Sequence, residues 1–129
     1  MRAEQMCPCG SGTPLSSCCG PVIDDPRVTT TAEQLMRSRY TARALGRWNH
    51  LWVTWHPRTR PELADEDGLR WTGLEVLRAE AGTAGDDAGV VEYRASYREG
   101  ARPGVLHEVA RFQRRAGRWF YVDGDVLDA

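Results

Sequence analysis

The sequence predicts an α+β fold, in which helices pack against a curved antiparallel sheet and a small segment of clustered cysteines precedes them. Three observations support this prediction. Apolar residues recur at helical spacing between residues 32 and 55, and they alternate with polar residues at strand spacing after residue 69. Glycine-containing loops separate the alternating segments, as in hairpins. All four cysteines of the 129-residue chain lie between Cys7 and Cys19. We therefore expect one domain with a small N-terminal appendage.

The cysteine segment, CPCGSGTPLSSCC, has the composition of a metal site. Zinc takes four thiolate or imidazole ligands in a tetrahedron, and the C-x-C and C-C pairs supply four sulfurs from two short arms. Gly10 and Gly12 permit the positive φ that a turn between the arms needs. The alternatives are an incidental cluster in a loose tail, a catalytic thiol, and a disulfide, which a reducing compartment and the strain of bridging adjacent residues disfavour. The segment favours a closed zinc site over these alternatives.

The same segment resembles the SEC-C motif, the zinc knuckle at the C-terminus of the SecA translocation ATPase. That motif ends in Cys-Cys or Cys-His, and this chain has the Cys-Cys form. The resemblance implies a knuckle over residues 1–22 that docks onto a protein partner and whose zinc ligands are Cys7, Cys9, Cys18 and Cys19. Because the rest of the chain is long enough for its own core, we expect loss of the metal to unfold the knuckle alone.

The polar, proline-containing residues 23–30 are predicted to be a linker. A capping box follows, formed either by Thr30 with Glu33 or by Thr31 with Gln34, and it predicts the start of a helix.

The helix is expected to end at Gly46, and a short second helix, rich in tryptophan, is expected to stop before Pro57. Residues 57–68 are predicted to be a loop. Four strands are predicted after it, with the sequences LRWTGLEVLRAE, GVVEYRASYRE, VLHEVARFQRR and RWFYVDG. Helices followed by a strand meander are typical of an α+β domain.

Several stretches together resemble the YchJ family: LMRSRYTARALG, LWVTWHPRTRP, YREG and LHEVARFQRRAGRWFYVDG. The resemblance covers nearly the whole chain. It implies that residues 31–129 form a cone-shaped domain of the nuclear-transport-factor-2-like fold. Some members carry another SEC-C knuckle at the C-terminus, whereas no cysteine follows Cys19 here. The resemblance implies no activity, so the chemistry must be argued from the residues.

A cone-shaped domain has a mouth that can hold a small molecule, and strand alternation predicts which residues line it. On the third strand, Glu108 shares the more apolar face with Phe112, which is an unusual place for a carboxylate. Glu108 is either a general base whose pKa burial raises or the partner of an arginine such as Arg39. His56 is either an acid/base in the pocket or a residue that fixes the loop at Pro57.

The candidate pocket residues share aromatic or ionisable character and positions facing the expected cone. They are Tyr40, Trp55, His56, Trp71, Tyr93, Glu108, Phe112 and Trp119. His50 and His107 are expected to be solvated.

Three functions are compatible with the sequence. We favour a zinc-binding adaptor or ligand-binding protein, in which the knuckle binds a protein partner and the cone either holds a small ligand or forms a homodimer. The second is a metal-independent enzyme using Glu108 and His56; the third is a module associated with RNA or the ribosome. The formal net charge of −1 argues against nucleic acid. No apolar run of membrane-spanning length and no signal peptide is visible, so we expect a cytoplasmic protein.

Overall fold

The computed structural model describes residues 5–62 and 68–127. Residues 63–67 of the predicted loop therefore lie outside the described residues, as do the first four residues of the expected knuckle. The helical elements are a 3-10 turn at Leu15–Ser17, α1 at Cys19–Asp24, a 3-10 turn at Pro26–Val28, α2 at Ala32–Leu45 and α3 at Trp48–Val53. The strands are β1 at Arg70–Ala81, β2 at Ala88–Glu99, β3 at Arg102–Arg115 and β4 at Arg118–Leu127.

Helix α2 begins at the second of the two predicted capping positions. Thr31 is the N-cap, and its hydroxyl accepts a hydrogen bond from the backbone N–H of Gln34 at 3.1 Å. The Gln34 side chain in turn accepts from the backbone N–H of Thr30 at 2.7 Å. These bonds satisfy N–H groups that have no partner inside the helix. The helix ends at Gly46, whose φ of 75° is a left-handed conformation suited to glycine.

The four strands form one antiparallel sheet in the order β1-β2-β3-β4. Tyr93 on β2 pairs with Glu108 on β3, so their side chains lie on the same face of the sheet. Helix α2 packs against this face, where Val91, Ala95 and Ala110 are almost fully buried. The predicted α+β architecture, with helices over a meander of four strands, is confirmed.

A β-bulge in β4 changes which of its residues face the helix. Tyr121 pairs with Phe112 and Asp123 pairs with Arg111, so Val122 is the extra residue between the two pairs. A bulge of one residue reverses the alternation of side chains beyond it. Tyr121 and Gly124 therefore lie on the same, inward face although three positions separate them.

The N-terminal segment packs onto the rest of the chain. Cys7, Cys9 and Cys19 belong to the same buried cluster as Leu35 and Tyr40 of α2. In the range 23–30, α1 ends, the turn Pro26–Val28 follows, and Thr29 is buried. The knuckle and α2 thus share a continuous core.

Among the described residues, no helix has the length and apolar character needed to cross a membrane.

Candidate functional site

The four cysteine sulfurs converge on one point. All of them lie within 4.8 Å of one another. The distance between the sulfurs of Cys9 and Cys18 is 3.7 Å, and that between Cys18 and Cys19 is 3.9 Å. A tetrahedron with metal–sulfur bonds of about 2.3 Å places its sulfurs about 3.8 Å apart. The residues present therefore fit a four-coordinate metal ion, and four thiolates would fill its coordination shell.

Local backbone hydrogen bonds position the two arms of this cluster. The backbone N–H of Cys7 donates to the carbonyl of Thr13 at 2.9 Å, and that of Gly10 donates to the carbonyl of Cys7 at 3.1 Å. Gly10 and Gly12 have φ values of 78° and 85°, which close the turn and strain any other residue. The second arm enters α1, with Cys19 as its first residue. The short spacing and the two glycines thus determine the shape of the knuckle.

Side chains of α2 contact the cysteine cluster from the body of the protein. The Thr41 hydroxyl lies 3.6 Å from the Cys7 sulfur, and one terminal nitrogen of Arg37 donates to the Cys9 carbonyl at 2.9 Å. A hydrogen bond from the Cys19 side chain lowers the pKa of Cys9 to about 4. The positive charge of Arg37 offsets part of the negative charge that thiolates accumulate here. Helix α2 therefore holds the cluster through a hydroxyl and a guanidinium, which are polar contacts of the kind that orient metal ligands.

A cavity of about 210 Å³ lies between α2 and the inward face of the sheet. Six of the eight predicted pocket residues line it: Tyr40, Trp55, Trp71, Tyr93, Glu108 and Phe112. Three further polar or aromatic residues, which were not among the predicted pocket residues, also line the cavity: Arg39, Arg43 and Tyr121. Gly124 contributes by leaving space for the Glu108 side chain.

Glu108 is the centre of a hydrogen-bonded group at the wall of the cavity. It is 7% exposed, and its two carboxylate oxygens accept hydrogen bonds from Tyr93 and, at 2.7 Å, from Tyr121. Burial, followed by the charge of Glu108, raises the pKa of both tyrosines, so both remain protonated donors. The carboxylate lies against the Cα of Gly124, where a Cβ would collide with it. A glycine within a strand is the sequence signal for such a close approach.

Arg39 does not form the ion pair with Glu108 that the sequence analysis considered. One terminal nitrogen of its guanidinium donates to the Leu51 carbonyl and to the Thr54 hydroxyl, each at 2.8 Å. The guanidinium carbon lies 4.6 Å from the ring centroid of Tyr121. Burial, with a smaller effect of Arg43, lowers the pKa of Arg39 to about 10. Tyr93 and Tyr121 donate to the carboxylate, and the arginine instead donates to neutral groups at the end of α3 and at its C-cap, Thr54.

His56 and Trp119 lie outside the cavity. The ring nitrogen Nδ1 of His56 accepts a hydrogen bond from the backbone N–H of Arg58 at 3.1 Å, and the ring packs on Phe120. His56 thus fixes the loop at Pro57, which is the second of the two interpretations given above, and it does so by accepting a backbone hydrogen bond. The Trp119 indole donates to the Thr30 carbonyl at 3.1 Å, so it supports the start of α2.

His50 and His107 are buried, which contradicts the expectation that they are solvated. Nε2 of His50 lies 2.9 Å from the Ser38 hydroxyl, and Nε2 of His107 lies 2.6 Å from the Glu92 carboxylate. Burial lowers the pKa of His50 to about 4, with a smaller effect of Arg39. Each histidine is buried beside a polar side chain of a neighbouring element, Ser38 of α2 for His50 and Glu92 of β2 for His107. These contacts between elements could not be inferred from the position of either histidine along its own helix or strand.

Comparisons with known proteins agree with the fold and with the cysteine knuckle. A family model described as the YchJ middle nuclear-transport-factor-2-like domain matches residues 31–124. A UPF0225 protein of Chromobacterium violaceum is 48% identical over 130 residues, covering 97% of this chain and 96% of that protein. The UPF0225 protein SCO1677 of Streptomyces coelicolor is 49% identical over 123 residues, covering 95% of this chain and 96% of that protein.

Two solved structures are also similar to this chain. The solution structure of RPA3114, a SEC-C motif containing protein from Rhodopseudomonas palustris, has a TM-score of 0.82 at 33% identity and covers 95% of this chain and 98% of its own. The crystal structure of a SEC-C motif containing protein from Psychrobacter arcticus has a TM-score of 0.74 at 27% identity, with 97% and 84% covered.

Proposed function

This chain belongs to the YchJ (UPF0225) family, and we propose that it is a cytoplasmic binding protein, in which a structural zinc knuckle contacts a protein partner and the cavity of the body binds a small organic molecule. The observation that carries the proposal is the cavity between α2 and the sheet. Its walls are largely apolar and aromatic, with a small number of polar and charged groups among them. This combination is typical of sites for small molecules.

The size of the cavity limits the ligand. A buried apolar cavity of about 150 Å³ accepts benzene, and this one measures about 210 Å³. A molecule with a single ring and one small substituent matches that volume. Larger cofactors, such as nucleotides, do not.

The arrangement around Glu108 supports binding over catalysis. A general base needs a free lone pair aimed at the proton that it removes. Here each carboxylate oxygen already accepts one hydrogen bond from a tyrosine, so one of the two lone pairs on each oxygen is engaged. These bonds hold the carboxylate in place, which suits a fixed wall of a binding site.

Zinc is the metal that the four thiols suit best, because tetrahedral four-sulfur sites are typical of structural zinc. Bound there, the ion would cross-link the two arms of the knuckle. Such a site stabilises shape, and it presents the surrounding backbone as a contact surface. Met6 is the apolar residue of this surface that is most open to solvent, with 53% of its area exposed.

The ligand-binding part is tested by closing the cavity. Ala95 lines it and is almost fully buried, so Ala95→Leu is expected to fill part of the volume. We expect one-ring compounds detected by protein-observed NMR to bind the unaltered protein and to lose binding to Ala95→Leu. Ala101→Leu, on an exposed turn, is the matched control and should bind normally. Equal binding to both variants would contradict a ligand in this cavity.

The partner-binding part is tested by a photo-crosslinking amino acid placed at position 6, within the knuckle, or at Arg102, an exposed residue of the sheet. We expect a specific crosslinked protein only from position 6, and only while the metal is bound. The same products from both positions would contradict the knuckle as the docking site.

A further inference from the structure

Arg39 is a buried cation that forms no ion pair with a carboxylate within residues 5–62 and 68–127. The residue is 7% exposed, and the hydrogen bonds from its guanidinium go to the neutral oxygens of Leu51 and Thr54. Both bonds use the same terminal nitrogen, so the remaining N–H groups are available. A buried charge normally has an opposite charge beside it, because removing it from water is costly. The buried guanidinium therefore suits a further negatively charged acceptor in the cavity.

A second arginine adds to the imbalance of charge. Arg43 lies one turn further along α2, lines the same cavity, and has its guanidinium 5.7 Å from the Trp71 ring centroid. Among the described lining residues, Glu108 is the only carboxylate, and both of its oxygens already accept tyrosine hydroxyls. Two cations thus face one anion, and the cavity favours a ligand with a single negative charge.

Another donor in the cavity wall lacks an acceptor. The indole nitrogen of Trp55 is buried, and it has no hydrogen-bond partner among the described residues. The Arg39 guanidinium lies over the same indole, 5.3 Å from its ring centroid. A buried donor without an acceptor lowers stability, because it has lost its hydrogen bond to water without gaining another. An oxygen-rich group bound at this place would satisfy both residues.

The rest of the wall is apolar and suits a hydrocarbon body. Met36, Leu51, Trp71 and Phe112 contribute to it, and these side chains offer a ring or a short aliphatic group many contacts. A guanidinium binds a carboxylate through two parallel hydrogen bonds. A ligand with an apolar body and a carboxylate therefore matches both parts of the cavity.

We propose that the ligand is a small organic carboxylate with an apolar body, whose carboxylate binds Arg39, with Arg43 and Trp55 beside it. This inference rests on the proposed ligand-binding function and specifies the chemical class of the ligand.

The test compares compounds that differ only in charge. Benzoate, benzamide and benzylamine form one set, and cyclohexanecarboxylate with its amide and amine forms another. Each is titrated into ¹⁵N-labelled protein, and the indole N–H signal of Trp55, assigned with Trp55→Phe, is followed. We expect the carboxylates to shift this signal and to bind at least about tenfold more tightly than the amides, because hydrogen bonds to charged groups are the stronger ones. The amines should bind most weakly.

Two substitutions test the role of the arginines. Arg39→Gln is expected to weaken carboxylate binding to the level of the amides, and Arg43→Gln is expected to weaken it less. Arg102→Gln, at an exposed position of β3, is the control and should leave the affinities unchanged. If Arg39→Gln does not fold, the comparison of compounds on the unaltered protein and the Arg43→Gln variant still decide the question.

The outcomes separate this inference from the proposed function. If amides or amines shift the signals of cavity residues as strongly as the carboxylates do, the carboxylate inference is overturned and the ligand-binding function stands. If carboxylates keep their advantage in both arginine variants, the assignment to these arginines is overturned. If no compound shifts any lining residue, or if binding persists in Ala95→Leu, both proposals are overturned.

Discussion

Gly124 leaves the space that the Glu108 carboxylate occupies, and Gly124→Ala is expected to destabilise the protein. A Cβ at position 124 would lie closer to the carboxylate than nonbonded atoms allow. The side chain of Glu108 must then move, and it loses its hydrogen bonds from Tyr93 and Tyr121. Each such bond to a charged group contributes about 1.5–3 kcal/mol.

The displaced carboxylate can regain water at the mouth of the cavity, which offsets part of this loss. We therefore expect the free energy of unfolding to fall by about 1.5–3 kcal/mol, half of the sum of the two bonds. For a chain of this length, that corresponds to a melting temperature about 6–11 °C lower. Urea denaturation followed by circular dichroism measures the free energy, and thermal denaturation measures the temperature.

Gly73→Ala is the matched control. Gly73 also lies within a strand, and a Cβ there meets no atom within 4 Å. Because alanine restricts the unfolded chain more than glycine does, this substitution should leave stability unchanged or raise it slightly. In a Glu108→Ala background the cost of Gly124→Ala should vanish, since the colliding group is gone. Equal stability of the Gly124→Ala and Gly73→Ala proteins would refute the reasoning.

The remaining predictions concern the metal, its surroundings and pH. Purified protein is expected to contain one zinc ion per chain. Chelation is expected to lower the melting temperature of the whole domain, because the knuckle cysteines belong to the main core. If chelation raises hydrogen exchange in the first 22 residues alone, this prediction is contradicted. Arg37→Gln removes the contact with the Cys9 carbonyl, and it should weaken metal retention about 10–100-fold in a chelator competition. Arg47→Gln, which lies just beyond the C-terminal end of α2, is the control and should not weaken it. Burial lowers the pKa of His50 to about 4. Between about pH 6.5 and pH 4, the unfolded chain therefore binds a proton at this residue that the folded chain does not bind. The free energy of unfolding should fall as the pH is lowered through this window. His50→Gln should flatten this dependence, and an unchanged pH profile in that variant would speak against the assignment.

The packing of the knuckle changes one expectation drawn from the sequence. The sequence predicted that metal loss would unfold the knuckle alone, because the body is long enough to fold without it. The contacts of Thr41 with Cys7 and of Arg37 with Cys9 join the knuckle to α2. Which surfaces pack together depends on residues far apart in the chain, and spacing along the sequence does not reveal it.

The sequence by itself determined the features that depend on near neighbours. The convergence of the four cysteine sulfurs was predictable because all four cysteines, with two glycines between the arms, lie within thirteen residues. Helix α2 was predictable from its capping residues and from Gly46, and the inward position of Glu108 followed from alternation along a single strand. Each of these depends on a spacing of a few residues, which the chain carries locally.

Only the tertiary structure decided how these parts combine in the cavity. The bulge at Val122 brings Tyr121 and Gly124 onto the same face, and the tyrosines then take the carboxylate that Arg39 was considered to pair with. A register shift of one residue reverses every side chain beyond it, and no local pattern marks where the shift falls. Arg39 forms no ion pair with Glu108 because the two tyrosines donate to that carboxylate instead. This outcome is a property of the folded chain, since it depends on which side chains reach Glu108.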